Sequence, residues 1–293
     1  MYERLDACPV CRKATLANDR IIKDHSISQE SFALSRCQTC DFLFTNPRPL
    51  ELGKYYESEE YRSHTDEGKG IIDRVYRKVR NINLDKKIDL VIQHTATGGN
   101  LLDVGTGTGY FLAKAKSRGW DIEGVEPNPK AQTFAQDQLQ TSLYTDVFEV
   151  PQEKQFDAIT LWHVLEHLPK LNETLEHFQG LITKKGRIFV AVPNVASWDA
   201  QHYGEHWAGY DVPRHLYHFT QPTMKRLLKE HGYSLVSVEP MVFDAYYVSL
   251  LSEKYQNGKS RYIQAFRNGW KSNQWAKANQ NNYSSLIYVI KKK

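Results

Sequence analysis

The stretch LLDVGTGTG (101–109) decides the fold, because it joins a short apolar run to a glycine-rich turn. Glycines permit a tight turn and let a ligand approach the backbone closely. A helix predicted from about Tyr110 presents free N–H groups to such a ligand. NAD-binding loops have the spacing G-x-G-x-x-G, which would place a glycine where this chain has Tyr110. The turn therefore predicts a nucleotide-like ligand and disfavours NAD.

Strand and helix patterns alternate along the rest of the chain. Apolar runs suited to strands lie at 100–105, 122–126, 142–146, 156–162, 186–192, 233–240 and 284–290. Helical stretches between the runs are typical of βαβ units, whose parallel sheets are buried on both faces. A further helical insertion is predicted at about 242–282. The sequence therefore predicts an α/β fold with a seven-stranded, mostly parallel sheet and helices on both faces.

An acidic residue ends the strand that follows the turn: Glu126 lies 21 residues after Gly105. A carboxylate there can accept hydrogen bonds from both hydroxyls of a ribose. Together, LLDVGTGTGYF, GVEP, TDVFEV and FDAITLWHVLEHL resemble the class I S-adenosylmethionine-dependent methyltransferases, over roughly residues 95–240. The resemblance implies a Rossmann-like domain and an enzyme that uses S-adenosylmethionine as its methyl donor.

The resemblance also implies which residues contact this cofactor. Its methionine part would lie beside Asp103, Gly105, Thr106, Gly107 and Gly109. Its ribose and adenine would contact Glu126, Pro127, Asn128, Asp146 and Val147. The cleft would be closed, after the fourth strand, by Trp162 and His163.

The segment His163–His167 spells H-x-x-E-H, a pattern of zinc metalloproteases. On a helix, His163 and His167 would share a face and could hold a metal. The segment directly follows the fourth predicted strand, however, and WHVLEHL resembles the methyltransferase sequence at that place. We therefore expect Glu166 and His167 to orient the loop, and His163 to face the methyl group.

A segment rich in histidine and aromatic residues, 202–220, follows the next strand. Its composition suits a lid over a cleft better than a core, and DVPRHLYHFT resembles a segment that helps form the acceptor pocket in a bacterial branch of these enzymes. The candidate acceptor-site residues are Trp207, Tyr210, Asp211, Arg214, His215 and His218. The candidate catalytic residues are His163, Asp211, His215 and His218. A histidine could serve as general base, or His215 and His218 could instead fix the loop by hydrogen bonds.

All four cysteines precede residue 41 and form two C-x-x-C pairs, Cys8 with Cys11 and Cys37 with Cys40. Two such turns can present four thiolates to one tetrahedral ion. A module this small cannot build a core of its own, so a bound metal would supply most of its folding energy. The sequence therefore predicts structural zinc, with free cysteines or a redox pair as the alternative. The module also resembles N-terminal zinc modules of some bacterial methyltransferases, including sugar C-methyltransferases.

The domain organisation follows from these features. We predict a zinc-ribbon-like module at 1–48, a helical connector that covers the cofactor site at 49–95, and the methyltransferase domain at 96–293. No apolar run approaches the roughly 18 residues of a membrane span, and the start lacks the apolar core of a signal peptide. The sequence therefore predicts a cytoplasmic protein with no membrane partner, either a monomer or a homodimer.

Three functions stay open at this point. The first is methyl transfer to oxygen or carbon of a small molecule, such as a sugar or another metabolite. The second is an RNA or protein methyltransferase that uses the ribbon for recognition. A net charge of +4 over 293 residues disfavours nucleic acid without excluding it. The third is a non-catalytic protein that retains the cofactor site.

Overall fold

The computed structural model describes residues 1–56, 71–95 and 98–293. Residues 57–70, part of the predicted connector, therefore lie outside the described residues. The helices are α1 Ile71–His94, α2 Tyr110–Ser117, α3 Pro129–Leu139, α4 Leu171–Leu181, α5 Trp198–Tyr203, α6 Gln221–Glu230, α7 Asp244–Asn257 and α8 Tyr262–Ala278. Among the described residues, no helix combines the length and the apolar character that a membrane crossing requires.

The strands of the described residues form a two-stranded, a four-stranded and a six-stranded sheet. They are β1 Tyr2–Glu3, β2 Leu16–Lys23, β3 Ser31–Cys37, β4 Leu43–Thr45, β5 Arg48–Pro49, β6 Gly99–Val104, β7 Trp120–Val125, β8 Phe156–Trp162, β9 Ile182–Pro193, β10 Tyr217–His218, β11 Tyr233–Pro240 and β12 Ser285–Lys292. The central sheet has the order β11-β12-β9-β8-β6-β7. Its four strands from β9 to β7 run parallel, and β12 pairs antiparallel with both β9 and β11.

The central sheet is buried on both faces. Leu101 and Leu102 are neighbours on β6, so their side chains point to opposite faces, and both are fully buried. They belong to two different apolar clusters. Burial on both sides explains why the sequence of these strands is a nearly continuous apolar run.

The run at 142–146 does not form the strand that the sequence predicts. Only Tyr144 pairs there, in a single parallel bridge to Val125, so the described part of the chain contributes six strands to this sheet rather than seven. The chain leaves the sheet at once because Asp146 begins a short 3₁₀ helix. Its side chain accepts a hydrogen bond from the Phe148 N–H, while the Glu149 side chain accepts one from the Asp146 N–H.

The cysteine-containing module shares a sheet with the rest of the protein. Strands β2, β3 and β4 are antiparallel, and β10, more than 170 residues later, pairs with β4 to complete a sheet of order β10-β4-β3-β2. Phe32 and Leu34 of the module are buried in one apolar cluster with Trp207 and Tyr210. The module is therefore packed firmly against the segment at 202–220.

Candidate active site

The glycine-rich turn lies at the carboxyl end of β6, the edge where parallel sheets bind ligands. Gly105 has φ +75°, and a Cβ on it would lie 2.4 Å from the Val164 side chain, so only glycine fits there. Gly107 has φ +57°, and a Cβ on it would meet no described atom within 4 Å. The turn is thus closely packed at one glycine and open at the next.

Glu126 holds the open part of this turn in place. Its Oε2 accepts a hydrogen bond from the Gly107 N–H at 2.7 Å, and its Oε1 accepts one from the Asn128 N–H at 2.8 Å. The side chain is buried, which raises the pKa of Glu126, although both N–H groups oppose this. The strand-end acid and the glycine turn therefore form one unit, as the sequence motif requires.

Asp103 lies deeper in the same cleft and faces a lysine. Its Oδ1 accepts a hydrogen bond from the Thr160 hydroxyl at 2.6 Å. Burial raises the pKa of Asp103 to about 7, although the Thr160 hydroxyl and the Lys87 ammonium oppose the shift. Lys87, on α1, lies with its Nζ 4.6 Å from the centre of the Trp162 ring, and burial lowers its pKa. The sequence pattern did not indicate Lys87, because α1 belongs to no motif.

The other predicted cofactor residues lie around the same edge of the sheet. Asn128 caps α3 through hydrogen bonds from two backbone N–H groups, directly after Pro127. The Thr106 hydroxyl donates to the Asp103 carbonyl at 3.0 Å. The Trp162 indole N–H is buried without a hydrogen-bond partner among the described residues. Such a buried donor lacks the hydrogen bond that usually offsets the cost of its burial.

His163 is held between two carboxylates. Its Nε2 lies 2.9 Å from Asp244 Oδ2, and its Nδ1 lies 3.3 Å from Glu166 Oε1. Burial would lower the pKa of His163, but the hydrogen bonds to these carboxylates raise it to about 9. A protonated imidazole cannot accept a proton, so the structure disfavours the role of general base predicted for His163. Asp244, 81 residues away, was not predicted as a site residue.

The H-x-x-E-H segment is not an α-helix, and the metalloprotease alternative is therefore wrong in its geometry. Leu165–His167 forms one 3₁₀ turn, and His163 has φ +59°. His163 faces Asp244, whereas the His167 Nδ1 is hydrogen-bonded to the Tyr56 hydroxyl at 2.9 Å. The two histidines consequently point to different partners.

Glu166, His167 and His215 form a separate buried cluster, which we call the inner triad. The rings of His167 and His215 pack edge to face, with their centroids 4.6 Å apart. Glu166 is 0% exposed, and its Oε2 has no hydrogen-bond partner among the described residues. Burial and the neighbouring His215 lower the pKa of His167 to about 4. The sequence predicted His215 for the site but gave Glu166 and His167 only a supporting role.

The segment at 202–220 is not an exposed lid, contrary to its composition. The Trp207 ring is 1% exposed, and its indole N–H donates to Asp199 at 2.8 Å. Tyr210 is also buried and accepts a hydrogen bond from Arg20 at 3.0 Å. Trp207 and Tyr210 can be buried because Asp199 and the ribbon residue Arg20 provide hydrogen-bond partners for their polar groups.

Two of the predicted catalytic residues in this segment are engaged elsewhere. Asp211 pairs with the Arg214 guanidinium. Burial alone would raise the pKa of Asp211, but this ion pair lowers it to about 2. Burial lowers the pKa of His218 to about 3, and its Nε2 lies 3.3 Å from the Thr45 hydroxyl. The His218 contact joins the ribbon to the segment, and the low pKa values of Asp211 and His218 disfavour proton transfer by either group.

The four cysteines converge as their spacing predicts. Sγ of Cys8 lies 3.5 Å from that of Cys40, and Sγ of Cys11 lies 3.4 Å from that of Cys37. All four sulfur atoms lie within 4.8 Å of one another, and none is in a disulfide. The Val10 N–H donates to the Cys8 sulfur at 3.4 Å, which is typical of a thiolate turn. The group has the donor set of a tetrahedral zinc site.

Comparisons with known proteins agree with this geometry. A family model described as a methyltransferase domain matches residues 76–238, more than half of the chain. An uncharacterized methyltransferase from Alkaliphilus oremlandii (strain OhILAs) is 26% identical over 97 residues, which is 32% of this chain and 45% of that relative. The chain thus spans less than half the length of that curated relative.

Solved structures show the same fold at low sequence identity. Magnesium protoporphyrin IX methyltransferase from Synechocystis PCC 6803 with bound SAH superposes with a TM-score of 0.53 at 14% identity, over 82% of this chain and 97% of that one. A SAM-dependent methyltransferase from Archaeoglobus fulgidus gives 0.50 at 21% identity, over 74% and 94%. The predicted Rossmann-like α/β fold is confirmed. The chain therefore belongs to the methyltransferase family, and its fold resembles that of class I S-adenosylmethionine-dependent methyltransferases.

Proposed function

We propose that this methyltransferase transfers the methyl group of S-adenosylmethionine to oxygen or carbon of a small-molecule acceptor. The observation that carries the donor site is the pair of hydrogen bonds that join Glu126 to Gly107 and Asn128. They keep a carboxylate beside an open glycine turn at the carboxyl edge of a parallel sheet, as binding of a ribose and its attached chain requires.

Asp103 and Lys87 complement the amino-acid end of the donor. A buried carboxylate near a half-buried ammonium matches the ammonium and carboxylate groups of methionine. Open space at Gly107 supports contact with the backbone there. In this proposal the ribose lies on Glu126, while Asp146 and Val147 border the adenine.

Catalysis depends mainly on alignment. When bound, S-adenosylmethionine would supply an activated methyl group: the acceptor oxygen or carbon bonds to the methyl carbon in line as the carbon–sulfur bond breaks, and S-adenosylhomocysteine leaves. The protein excludes water and orients the acceptor, which can contribute up to about 7–11 kcal/mol. A hydroxyl acceptor must also lose a proton. The His215 Nδ1–H donates to the Gly209 carbonyl at 2.9 Å, so its Nε2 lone pair is free to receive that proton.

Charge pairing in the ribbon supports a small acceptor over RNA. Arg20 and Arg36 both pair with Asp19, Arg36 also pairs with Asp41, and Arg12 lies 3.9 Å from Glu176. These pairs neutralise three of the basic residues that a nucleic acid would contact. Steeply salt-dependent RNA binding would instead favour the RNA methyltransferase. Cofactor binding without methyl transfer to any of a panel of sugars, metabolites, proteins and RNA would favour the non-catalytic alternative.

The cysteine group is proposed to bind one structural zinc ion. Four sulfur atoms within 4.8 Å of one another fit a tetrahedral ion after a small contraction. Four protein ligands would leave no position for a substrate, so the ion would stabilise the ribbon without taking part in the reaction. Reduced thiols also support the proposed cytoplasmic location.

Replacing Glu126 by alanine is expected to weaken S-adenosylmethionine binding about 10–100-fold. The ribose loses a charged hydrogen-bond acceptor, typically worth about 1.5–3 kcal/mol. Isothermal titration calorimetry measures the change. Glu123→Ala, on the same strand, is the matched control because its carboxylate contacts Lys154 instead. A wild-type protein that ignores the cofactor at millimolar concentration would refute the donor site.

The affinity for S-adenosylmethionine is expected to fall as the pH drops below about 7. The pKa of Asp103 is about 7 in the free protein, so the carboxylate gains a proton below that value. The ammonium of the bound methionine requires the ionised form, and binding must then expel the proton. Affinity should decline about tenfold per pH unit in this range, as calorimetry at several pH values would reveal. An Asp103→Asn variant should bind weakly with no such decline.

A further inference from the structure

The inner triad has the composition of a metal site that is separate from the four cysteines. Glu166, His167 and His215 each offer one ligand atom, and these atoms all lie within 4.8 Å of one another. Glu166 is fully buried and His215 is 8% exposed. Two histidines and one carboxylate are the ligands of many Fe(II), Zn, Co and Mn sites, which keep open positions for a substrate.

A hydrogen bond sets the His215 tautomer that a metal requires, and a second hydrogen bond is compatible with the tautomer required of His167. The Gly209 carbonyl can only accept, so the His215 Nδ1 must carry the proton and its Nε2 must present a lone pair. The His167 Nδ1 lies 2.9 Å from the Tyr56 hydroxyl, and when Nδ1 donates in this hydrogen bond, Nε2 presents its lone pair to a ligand. Metal-binding histidines commonly have their second nitrogen anchored to an outer partner in this way.

The carboxylate supplies the second, independent observation. Glu166 Oε1 contacts His163, but Oε2 is buried without a hydrogen-bond partner among the described residues. A buried carboxylate oxygen that lacks a partner is costly, and a cation would satisfy it. We propose that Glu166, His167 and His215 bind one divalent transition-metal ion.

The surrounding charges are compatible with a cation. Asp211 Oδ2 lies 3.8 Å from the His215 Nε2, and Asp244 lies on the far side of His163. Asp244 interacts with the cations His163 and Lys87, and Asp211 pairs with Arg214. Glu166 is therefore the carboxylate whose free oxygen a divalent ion would neutralise.

The site adjoins the cofactor turn. Val164, two residues before Glu166, packs so closely on Gly105 that a Cβ there would lie 2.4 Å from it. On the proposed function, an ion at the triad would lie where an acceptor oxygen could bind it and lose its proton more easily. His215 would then act as a ligand rather than as the proton acceptor.

Cobalt chloride tests the site in protein whose cysteines are filled with zinc. We expect one cobalt ion per chain, with visible d–d absorption and without the charge-transfer bands of cobalt bound to thiolates. Glu166→Gln and His215→Ala should each weaken cobalt binding by more than about tenfold, since loss of even an outer partner typically costs about 10–100-fold. The matched control, His177→Ala, removes a histidine outside the triad and should bind as the wild type does.

Three results would overturn the proposal. They are no binding at millimolar cobalt, a thiolate spectrum with zinc still bound, or unchanged affinity in the triad variants. If circular dichroism shows that Glu166→Gln is unfolded, His167→Asn provides the same measurement with a smaller change. Because the titration needs neither S-adenosylmethionine nor an acceptor, its failure leaves the proposed methyl transfer intact, and failure of methyl transfer leaves the cobalt result intact.

Discussion

Replacing Cys37 by serine is expected to abolish zinc binding at the proposed four-cysteine site and to lower the stability of the protein by more than about 4 kcal/mol. Cys37 ends β3 with 0% exposure, and its sulfur lies 3.4 Å from that of Cys11. Structural zinc sites contribute about 10–16 kcal/mol of apparent binding free energy in small peptides. Loss of a metal is one of the few single changes that exceed the usual range of mutational effects.

We expect the Cys37→Ser substitution to destabilise the methyltransferase core as well as the ribbon. Cys8, Cys37 and Phe42 belong to the same apolar cluster as Val104 of the cofactor strand. Strand β10 also leaves the sheet if β4 is lost, because the two are paired. Unfolding of the ribbon therefore exposes residues that pack against the segment at 202–220, and methyl transfer should fall along with stability.

Elemental analysis and urea unfolding measure the two effects. The wild type should contain about one zinc per chain, and Cys37→Ser should contain none. Thr39→Ala is the matched control. Thr39 lies between Cys37 and Cys40, and its loss removes only an exposed hydroxyl contact with Thr15, so this variant should retain zinc. One zinc in the Cys37→Ser protein, together with a wild-type unfolding midpoint, would contradict the prediction.

The sequence was sufficient for the part of the site that is built from consecutive residues. The turn around Gly105 and the acid at Glu126 lie on adjacent strand ends, and their spacing reflects one βαβ unit. The four cysteines likewise lie in two local turns. Local geometry of this kind depends on few residues, so a motif describes it well.

Contacts between distant segments could not be predicted in this way. Asp244 determines the charge of His163 from 81 residues away, and Lys87 faces Asp103 from a helix with no motif. The sequence assigned a base to His163 because an isolated histidine titrates near neutral pH. Only the fold reveals the carboxylates that keep it protonated.

Composition also misled the interpretation of the segment at 202–220. Histidine, arginine and aspartate usually indicate an exposed surface. Here Arg214 is 4% exposed, because Asp211, Ser26 and the Tyr55 carbonyl provide acceptors for its guanidinium. Two of those acceptors come from the N-terminal part of the chain, and no local pattern connects them with the segment.

Replacing Asp199 by alanine is expected to destabilise the protein by at least about 3 kcal/mol. Its carboxylate is 0% exposed and accepts hydrogen bonds from the Trp207 indole at 2.8 Å, the Ser272 hydroxyl at 2.7 Å and the Ser284 hydroxyl at 2.6 Å. Alanine leaves three buried donors without an acceptor, and each typically costs about 1–3 kcal/mol. The effect is large because one side chain on α5 joins Trp207, α8 through Ser272, and Ser284, the residue directly before β12.

Thermal unfolding measures this effect, since each kcal/mol corresponds to a fall in Tm of about 2–4 °C in a protein of this size class. Asp199→Asn is the matched control: its amide oxygen still accepts from Trp207, while its N–H₂ group can donate to a serine hydroxyl that rotates to accept. We expect Asp199→Asn to cost about 1 kcal/mol, the value of one ordinary hydrogen bond. Equal losses in the two variants would mean that the negative charge, rather than the number of satisfied donors, stabilises this junction.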